Sequence, residues 1–342
     1  MQVLLFGARS YDRREFTAAN LRYGHQLTFV EAHLNTETVA LAAGCPAICT
    51  FVNDALNAPM LERLAGAGTK LIALRCAGFN QVDVKRATEL GLTVVRVPAY
   101  SPHAVAEHAV GLIMVLNRKF HRAYNRVRED NFSIDGLEGF DLYRKTVGVV
   151  GVGRIGAAFA QIMNGFGCTV LAYDPLLSQT ESRVGDAVLT TLPELLAASD
   201  IVSLHCPLTP DSHHLISDDA LSQMKSGAML INTSRGGLLD TEAVIRALKS
   251  GRLGALGLDV YEQEDNLFYE DLSSTVVTDD VFQHLLTFPN VMITAHQAFF
   301  TKEALAAIAD TTLSNVSDFE TGRPNSNQVT PELVRRGTDI PR

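Results

Sequence analysis

The sequence predicts an α/β protein with two domains, each built around a doubly wound parallel sheet. Short apolar runs alternate with segments of helical spacing along the whole chain, and this alternation is typical of βαβ units. The runs are continuously apolar, as expected for parallel strands covered by helices on both faces. The chain has 342 residues, which is more than a single hydrophobic core usually holds and therefore indicates two domains.

The predicted strands form two groups. The first group comprises residues 3–6, 27–30, 47–51, 70–75 and 93–97. The second comprises residues 146–150, 169–173, 201–205, 229–232, 255–260 and 291–294. Each group is long enough to form the sheet of one domain, because typical sheets contain about four to six strands.

The boundary between the domains is predicted at the Pro98–Pro102 break, where Ser101 can cap a following helix. We expect one long helix from 101 to 128 and a last helix over 301–320 that packs back on the N-terminal part. Residues 1–100 with 298–342 are therefore predicted to form one domain. Residues 101–297 are predicted to form the other.

Composition and charge narrow the possible partners. The formal net charge is −9, so no basic surface is available for nucleic acid. The longest apolar stretch, 109–116, is far too short to cross a bilayer, and the N-terminus lacks the pattern of a signal peptide. The cysteines are odd in number and scattered, which is typical of reduced thiols. We expect a cytoplasmic protein without nucleic acid or membrane partners.

A glycine-rich loop is the strongest local signal. Gly151, Gly153 and Gly156 form G-x-G-x-x-G directly after a predicted strand and before a predicted helix. Gly151 permits the tight turn, Gly153 lets a pyrophosphate approach the backbone, and Gly156 lets helix and strand pack closely. The pyrophosphate would bind to N–H groups at the helix N-terminus. Turn and packing glycines alone would give the same letters, but here strand and helix stand where dinucleotide binding needs them.

Asp174 follows the next strand, where an acidic residue binds the adenosine ribose hydroxyls. A carboxylate there repels a 2′-phosphate, and the next residues, 175–177, include no arginine to bind one. The sequence therefore predicts NAD rather than NADP as the cofactor.

Three candidate catalytic residues follow later strands: Arg235, Glu264 and His296. Reduction of a 2-oxo acid needs a group that binds its carboxylate and a proton donor for its carbonyl oxygen. An arginine fork suits the first task, and a histidine, with an ordinary pKa near 6.5, suits the second. A neighbouring carboxylate would favour the imidazolium form. Spacing alone leaves open a surface arginine, a solvated acid and a histidine in ordinary structural contacts.

Longer motifs make the chain similar to a known family. They include GVGRIG (151–156), HCPLTP (205–210), NTSRGGLLD (232–240), LDVYEQE (258–264) and AHQAFFTKEAL (295–305). In the N-terminal part they include FVND (51–54), LRCAGFNQVD (74–83), RVPAYSPHAVAEHAVGL (96–112) and LNRKFHRAYNRVRE (116–129). Along essentially its whole length the chain resembles the D-2-hydroxyacid dehydrogenases, and within that family the fermentative D-lactate dehydrogenases.

The resemblance implies that residues 1–100 with 298–342 are a flavodoxin-like substrate domain and that residues 101–297 are a Rossmann NAD-binding domain. The active site is expected in the cleft between them. It assigns Arg235 to the substrate carboxylate and carbonyl, His296 to proton transfer, and Glu264 to the partner of His296. It assigns Asp259 to the nicotinamide carboxamide. Further cofactor contacts are implied for Arg154, Ile155, Cys206, Pro207, Ser212, Thr233 and Ser234. Ser212 stands where many relatives have threonine or asparagine.

The substrate pocket is also implied by the resemblance. The backbone at Ala77 and Gly78 would receive the carboxylate, while Tyr100 and Phe299 would narrow the pocket around a small side chain. Pyruvate, reduced reversibly to D-lactate, is the expected substrate. A larger 2-oxo acid, or a non-enzymatic NAD-sensing protein, remains the alternative. A homo-oligomer, dimer or tetramer, is expected because the helix around 104–116 contributes to subunit contacts in this family.

No metal site is expected. His213 and His214 are adjacent in sequence, and we expect their rings to point apart, with no carboxylate or cysteine at a suitable spacing. His103 and His108 are separated by five positions rather than the four that place two ligands on one helix face.

Overall fold

The structure, a computed structural model, describes residues 1–177, 183–264 and 267–335. The chain divides into two units, Met1–Ser101 with Phe300–Arg342, and Pro102–Phe299. The strands are β1 (Gln2–Leu5), β2 (Gln26–Phe29), β3 (Ala47–Thr50), β4 (Leu71–Leu74), β5 (Thr93–Val95), β6 (Thr146–Val150), β7 (Thr169–Tyr173), β8 (Arg183–Val184), β9 (Ala187–Leu189), β10 (Ile201–Leu204), β11 (Ala228–Asn232), β12 (Leu253–Leu258) and β13 (Val291–Ile293).

The helices are α1 (Ser10–Asn20), α2 (Ala58–Gly66), α3 (Val84–Glu89), α4 (Pro102–Arg118), α5 (Phe120–Arg128), α6 (Arg154–Gly165), α7 (Leu192–Ala198), α8 (Asp218–Gln223), α9 (Thr241–Lys249), α10 (Asp280–Leu286), α11 (Lys302–Glu320) and α12 (Pro331–Arg335). Short 3₁₀ helices cover Thr38–Ala42 and Gly236–Leu238. None of the helices in the described part of the chain is long and apolar enough to cross a membrane.

The first unit contains a parallel sheet in the order β2-β1-β3-β4-β5. This is the flavodoxin-like order of a doubly wound sheet. The last long helix, α11, returns to this unit and buries Ala309, Leu313 and Val316 in the same core as β1 and β3. The hydroxyl of Tyr23 donates to Asp310 at 2.7 Å, so polar contacts at the end of α1 also attach α11.

The second unit contains an eight-stranded sheet in the order β13-β12-β11-β10-β6-β7-β9-β8. The six neighbouring strands β12-β11-β10-β6-β7-β9 have the strand order of the Rossmann fold. Only β8, paired with β9, is antiparallel among these strands of the described chain. Two buried clusters cover the faces of the sheet, as the continuously apolar strands predict. The predicted fold class, two doubly wound parallel-sheet domains, is confirmed.

Two sequence-based expectations about secondary structure were wrong. The single helix predicted over 101–128 is two helices, α4 and α5, because Lys119 between them has a left-handed backbone with φ of 52°. Strands β8 and β9 were not predicted. Each has three residues or fewer, too short for a recognisable apolar run.

Candidate active site

The glycine loop has the geometry that a dinucleotide-binding turn requires. Gly151 has a φ of +92°, and a Cβ there would lie 2.6 Å from the backbone nitrogen of Cys206. A Cβ on Gly156 would lie 2.0 Å from the carbonyl oxygen of Gly151, so α6 can approach β6 only with glycine at this position. Gly153 is the N-cap of α6, and a Cβ there would meet nothing within 4 Å. These positions fit a pyrophosphate at the helix N-terminus.

The acidic residue of the cofactor site is held at the end of β7. Asp174 accepts hydrogen bonds from the backbone N–H groups of Val152, at 2.9 Å, and Leu176, at 3.0 Å. The first bond attaches the carboxylate directly to the glycine loop, so ribose and pyrophosphate groups would bind to one connected structure. The buried hydroxyl of Thr233 has no hydrogen-bond partner among the described residues, which fits its predicted role as a polar cofactor contact.

Arg235 lies in a loop whose shape is fixed by Asn232 at the end of β11. The Asn232 side chain accepts from Ser234 N–H at 3.0 Å and donates to the Arg235 carbonyl oxygen at 2.8 Å. A Cβ on Gly236 would lie 2.1 Å from the carbonyl carbon of Tyr261, so this loop packs tightly on the segment that precedes Glu264. Within the described residues, the Arg235 guanidinium donates only to the Ser234 carbonyl oxygen.

His296 and Glu264 form the central polar contact of the second unit. Nδ1 of His296 lies 2.9 Å from Oε1 of Glu264, and the side chains are 20% and 7% exposed. The other oxygen of Glu264 accepts from the Tyr261 backbone N–H at 2.9 Å. The Glu264 side chain is therefore fixed, and it orients the imidazole of His296 through Nδ1, leaving Nε2 as the ring nitrogen that it does not contact.

The pKa of His296 is raised from its ordinary value by opposing effects. Burial lowers the pKa, but the charge and the hydrogen bond of Glu264 raise it, and the charge of Asp259 adds to them. The positive charge of Arg235 acts in the opposite direction, so the guanidinium lies near enough to influence the imidazole. The net result favours the imidazolium form, which a proton donor requires.

Asp259, which is fully buried, holds the loop that carries His296. Its oxygens accept from the backbone N–H groups of Gln297 and Ala298 and from the Thr294 hydroxyl. Its carbonyl oxygen accepts from the His296 N–H at 2.7 Å. His296 itself has a left-handed backbone with φ of 50°, a conformation that costs on the order of 1–2 kcal/mol for a residue other than glycine.

Sequence reasoning missed several supporting residues. Nε2 of His108 lies 3.0 Å from the Thr294 hydroxyl, and the Tyr269 hydroxyl donates to the His296 carbonyl oxygen at 3.0 Å. In the sequence, Asn232 stands out only as the first residue of the motif NTSRGGLLD (232–240). Tyr269 and His108 lie 27 and 186 positions from their respective partners, so spacing in the sequence gave no signal for them.

The remaining predicted cofactor residues follow β10 and β11 or open α6. The Cys206 carbonyl oxygen accepts from the Ser234 hydroxyl at 2.6 Å, which links β10 to the Arg235 loop. Burial raises the pKa of the Cys206 thiol to about 11, consistent with a packing role. The Ser212 hydroxyl donates to the Pro207 carbonyl oxygen at 2.8 Å, so it closes a turn. Arg154 and Ile155 open α6. Their contacts to cofactor remain predictions.

The predicted substrate residues lie in both units. Ala77, Gly78 and Tyr100 belong to the first unit, and Phe299 to the second. The Ala77 carbonyl oxygen accepts from Arg96 at 2.8 Å, and that of Gly78 accepts from the Cys76 thiol at 3.2 Å. These bonds fix the turn after β4. Their substrate contacts stay predictions.

The expectation about His213 and His214 was wrong in its geometry. Their rings stack with centroids 3.9 Å apart, and a carboxylate, Glu262, lies 2.7 Å from Nε2 of His214. The two rings share a side because His214 has a left-handed backbone with φ of 51°. An extended chain would have placed them on opposite sides.

The chain is similar to known proteins along most of its length. The family model of the D-isomer specific 2-hydroxyacid dehydrogenase, NAD binding domain, matches residues 110–298. The D-lactate dehydrogenase of Escherichia coli (strain K12) is 50% identical over 329 residues, covering 96% of this chain and 100% of that protein. The apo structure of D-lactate dehydrogenase from Escherichia coli matches with a TM-score of 0.88 and 48% identity, covering 96% of this chain and 100% of that one.

A second solved structure, that of the pyruvate reductase of Chlamydomonas reinhardtii, matches with a TM-score of 0.90 and 45% identity. The match covers 96% of this chain and 98% of the Chlamydomonas reinhardtii chain. The dinucleotide-binding fold and the matching NAD-binding domain define an NAD-dependent oxidoreductase. The chain belongs to the D-isomer specific 2-hydroxyacid dehydrogenase family.

The role of Asp174 can be tested by cofactor preference. Asp174→Ala removes the charge that repels a 2′-phosphate, so the ratio of NADH to NADPH efficiency should fall by about tenfold or more, equivalent to about 1.4 kcal/mol. Steady-state kinetics with both cofactors measure this ratio. Asp186→Ala, which removes an exposed aspartate between β8 and β9, is the matched control. A retained preference in Asp174→Ala would mean that another residue selects against the 2′-phosphate.

The coupling between Glu264 and His296 can be tested by titration. Burial lowers the pKa of His296, and Glu264→Gln removes the largest of the effects that together outweigh it, so this pKa should fall below its wild-type value. NMR titration of the His296 imidazole measures the change directly. Glu262→Gln, the same substitution two positions away, should leave the His296 pKa near that of the wild type. Equal shifts in both variants would contradict the specific pairing.

Proposed function

We propose that this protein is an NAD-dependent D-lactate dehydrogenase that reversibly reduces pyruvate. The observation that carries the proposal is the hydrogen bond of 2.9 Å between His296 and Glu264, with Arg235 near enough to act on the same imidazole. The D-lactate dehydrogenase of Escherichia coli, 50% identical over 96% of this chain, supports the choice of substrate and of the D stereoisomer.

Arg235 is proposed to bind the substrate carboxylate and carbonyl. Its guanidinium offers parallel N–H donors in a planar fork, which suits two oxygens better than a point charge does. The hydrogen bonds of Asn232 and the tight packing of Gly236 hold its backbone. The chain thereby fixes the orientation of the substrate before any proton moves.

His296 is proposed to donate a proton from Nε2 to the carbonyl oxygen during reduction and to accept it during oxidation. NADH, when bound at the glycine loop, would supply the hydride. Glu264 stabilises the imidazolium before transfer and keeps Nδ1 engaged, so that one ring nitrogen does the chemistry. Asp259 acts on the same step as a positioning residue, through the loop that follows β13. Its predicted contact with the nicotinamide carboxamide is part of the proposal.

The proposal of a small substrate depends on two aromatic side chains. Tyr100 and Phe299 are proposed to bound the space for the substrate side chain, which would suit a methyl group better than a bulky one. Ala77 and Gly78 are proposed to add backbone donors for the carboxylate. Contacts with NAD are proposed for Arg154, Ile155, Cys206, Pro207, Ser212, Thr233 and Ser234.

The protein is further proposed to be located in the cytoplasm.

Turnover with a panel of substrates tests the function. NADH oxidation should be fast with pyruvate, and the reverse reaction should occur with D-lactate and not with L-lactate. Turnover mainly with longer 2-oxo acids would keep the assigned residues and overturn the small pocket. Tight NADH binding without turnover on any 2-oxo acid would instead indicate an NAD-sensing protein.

Two variants extend this test to the assigned roles. His296→Gln should lower kcat by about 10²–10⁴-fold, the usual contribution of a general acid, while NADH affinity is retained. Arg235→Lys should raise the KM for pyruvate and also lower kcat, with about 10–100-fold lost in kcat/KM, because a bidentate contact becomes a single one. Unchanged kinetics in either variant would remove that residue from the active site.

The protein is also proposed to be a homo-oligomer, and exposed apolar side chains make α5 a second candidate for its subunit contact, beside the helix around 104–116. Most apolar side chains of α4 are buried, many of them in one core cluster with side chains of β6 and β11. By contrast, none of the residues of α5 is buried, although Phe120, Tyr124 and Val127 repeat along one helix face. The next segment folds back on α5, since Arg126 donates to the Asp135 carbonyl oxygen at 2.8 Å.

This exposed surface, formed by Phe120, Tyr124, Val127, Phe132 and Ile134, is a candidate subunit contact. Phe132 and Ile134 are 72% and 82% exposed, and exposed apolar clusters of this kind mark association sites. Ile134→Asp should therefore shift the oligomer towards the monomer in sedimentation velocity. Val276→Asp changes an equally exposed side chain, 83%, and should leave the mass unchanged. If the wild type, Ile134→Asp and Val276→Asp all had the same assembly state, this surface would be excluded as the subunit contact.

A further inference from the structure

The side chains of His213, His214 and Glu262 form a cluster outside the proposed catalytic residues. One ligand atom from each lies within 4.8 Å of the others. Nε2 of His214 is 2.7 Å from Oε1 of Glu262, and the two imidazole rings stack at 24°. We propose that this cluster is a divalent metal site that binds Zn²⁺ through two imidazoles and one carboxylate.

The backbone holds the two histidines in an arrangement that suits chelation. His213 N–H donates to the Thr209 carbonyl oxygen at 2.9 Å, and His214 N–H donates to that of Gly237 at 2.8 Å. The left-handed conformation at His214 brings both rings to one side of the chain. Since this conformation is costly for a residue other than glycine, the two hydrogen bonds help to maintain it.

The third ligand is also oriented by a neighbour. The second carboxylate oxygen of Glu262, Oε2, accepts from the Thr241 hydroxyl at 3.1 Å, and Thr241 is the first residue of α9. Outer hydrogen bonds of this kind orient ligating carboxylates and increase metal affinity. The Oε1 atom then faces the imidazoles, where a cation could replace its present contact with His214.

The ligand types favour zinc over calcium or magnesium. Imidazole is a good ligand for Zn²⁺, whereas Ca²⁺ and Mg²⁺ prefer oxygen atoms only. Two histidines and one glutamate leave a fourth tetrahedral position for water. The His214 and Glu262 side chains are 36% and 28% exposed, so the ion can enter from solvent.

The site lies beside the loop that carries Arg235. The Gly237 carbonyl oxygen, which accepts from His214, belongs to that loop, and a Cβ on Gly236 would lie 2.3 Å from the Glu262 nitrogen. A cation that joins Glu262 to the histidines would therefore stabilise the folded arrangement of both segments. Because Zn²⁺ would bind this arrangement and not the unfolded chain, it should raise the Tm.

The test titrates metal-free protein with Zn²⁺ against a chromophoric chelator in a non-coordinating buffer. We expect one Zn²⁺ per chain in the wild type. His213→Ala should lose this binding, while His103→Ala, which removes another exposed histidine, should retain it. Thr241→Val should weaken it by about 10–100-fold, as expected when an outer hydrogen bond to a ligand is lost.

A thermal measurement gives an independent readout. Zn²⁺ should raise the Tm of the wild type and of His103→Ala, and should not raise that of His213→Ala. The His213 side chain is exposed, so its removal should leave the metal-free protein folded, which circular dichroism can verify. Equal Zn²⁺ affinity and equal Tm shifts in the wild type and in His213→Ala would overturn the proposal.

Discussion

The buried carboxylate of Asp259 is the interaction on which the arrangement of the catalytic residues depends. Two backbone N–H groups and one hydroxyl donate to it, which occupies most of the acceptor capacity of a carboxylate. A buried charge without such partners would cost several kcal/mol. With these donors, the Asp259 carboxylate holds the loop after β13. The backbone N–H of His296 also donates to the Asp259 carbonyl oxygen. The left-handed backbone of His296 is sustained by this set of bonds.

The parallel sheet explains why residues so far apart in sequence meet. Asn232 ends β11, Asp259 follows β12, and His296 follows β13, and these three strands are neighbours. The carboxyl ends of parallel strands lie at one edge of the sheet, so each strand delivers a polar residue to the same place. The loops then add fine positioning, as when Gly236 packs against the segment before Glu264.

The sequence predicted much of this arrangement because its signals are local. A continuous apolar run predicts a buried parallel strand, and the glycines and Asp174 stand at fixed distances from such runs. The pairing of Glu264 with His296 was different, because only the family resemblance implied it and spacing alone left a solvated acid equally open. The supporting contacts of His108 and Tyr269 had no local signal, since each depends on a partner that the fold brings near.

Two of the sequence-based expectations that were wrong involve left-handed residues. Lys119 divides a helix that was expected to be continuous, and His214 turns two adjacent rings to one side. Neither position is glycine, so no residue type announces the unusual φ. His296 is a third residue with a left-handed backbone, and there the conformation accompanies a raised pKa of the imidazole and a hydrogen bond to Glu264. Such strain persists only where surrounding bonds compensate for it. At His214 the backbone N–H donates to the Gly237 carbonyl oxygen of the Arg235 loop, and the neighbouring His213 N–H donates to the Thr209 carbonyl oxygen. The histidine pair is thereby attached to the loop that carries the proposed substrate-binding arginine.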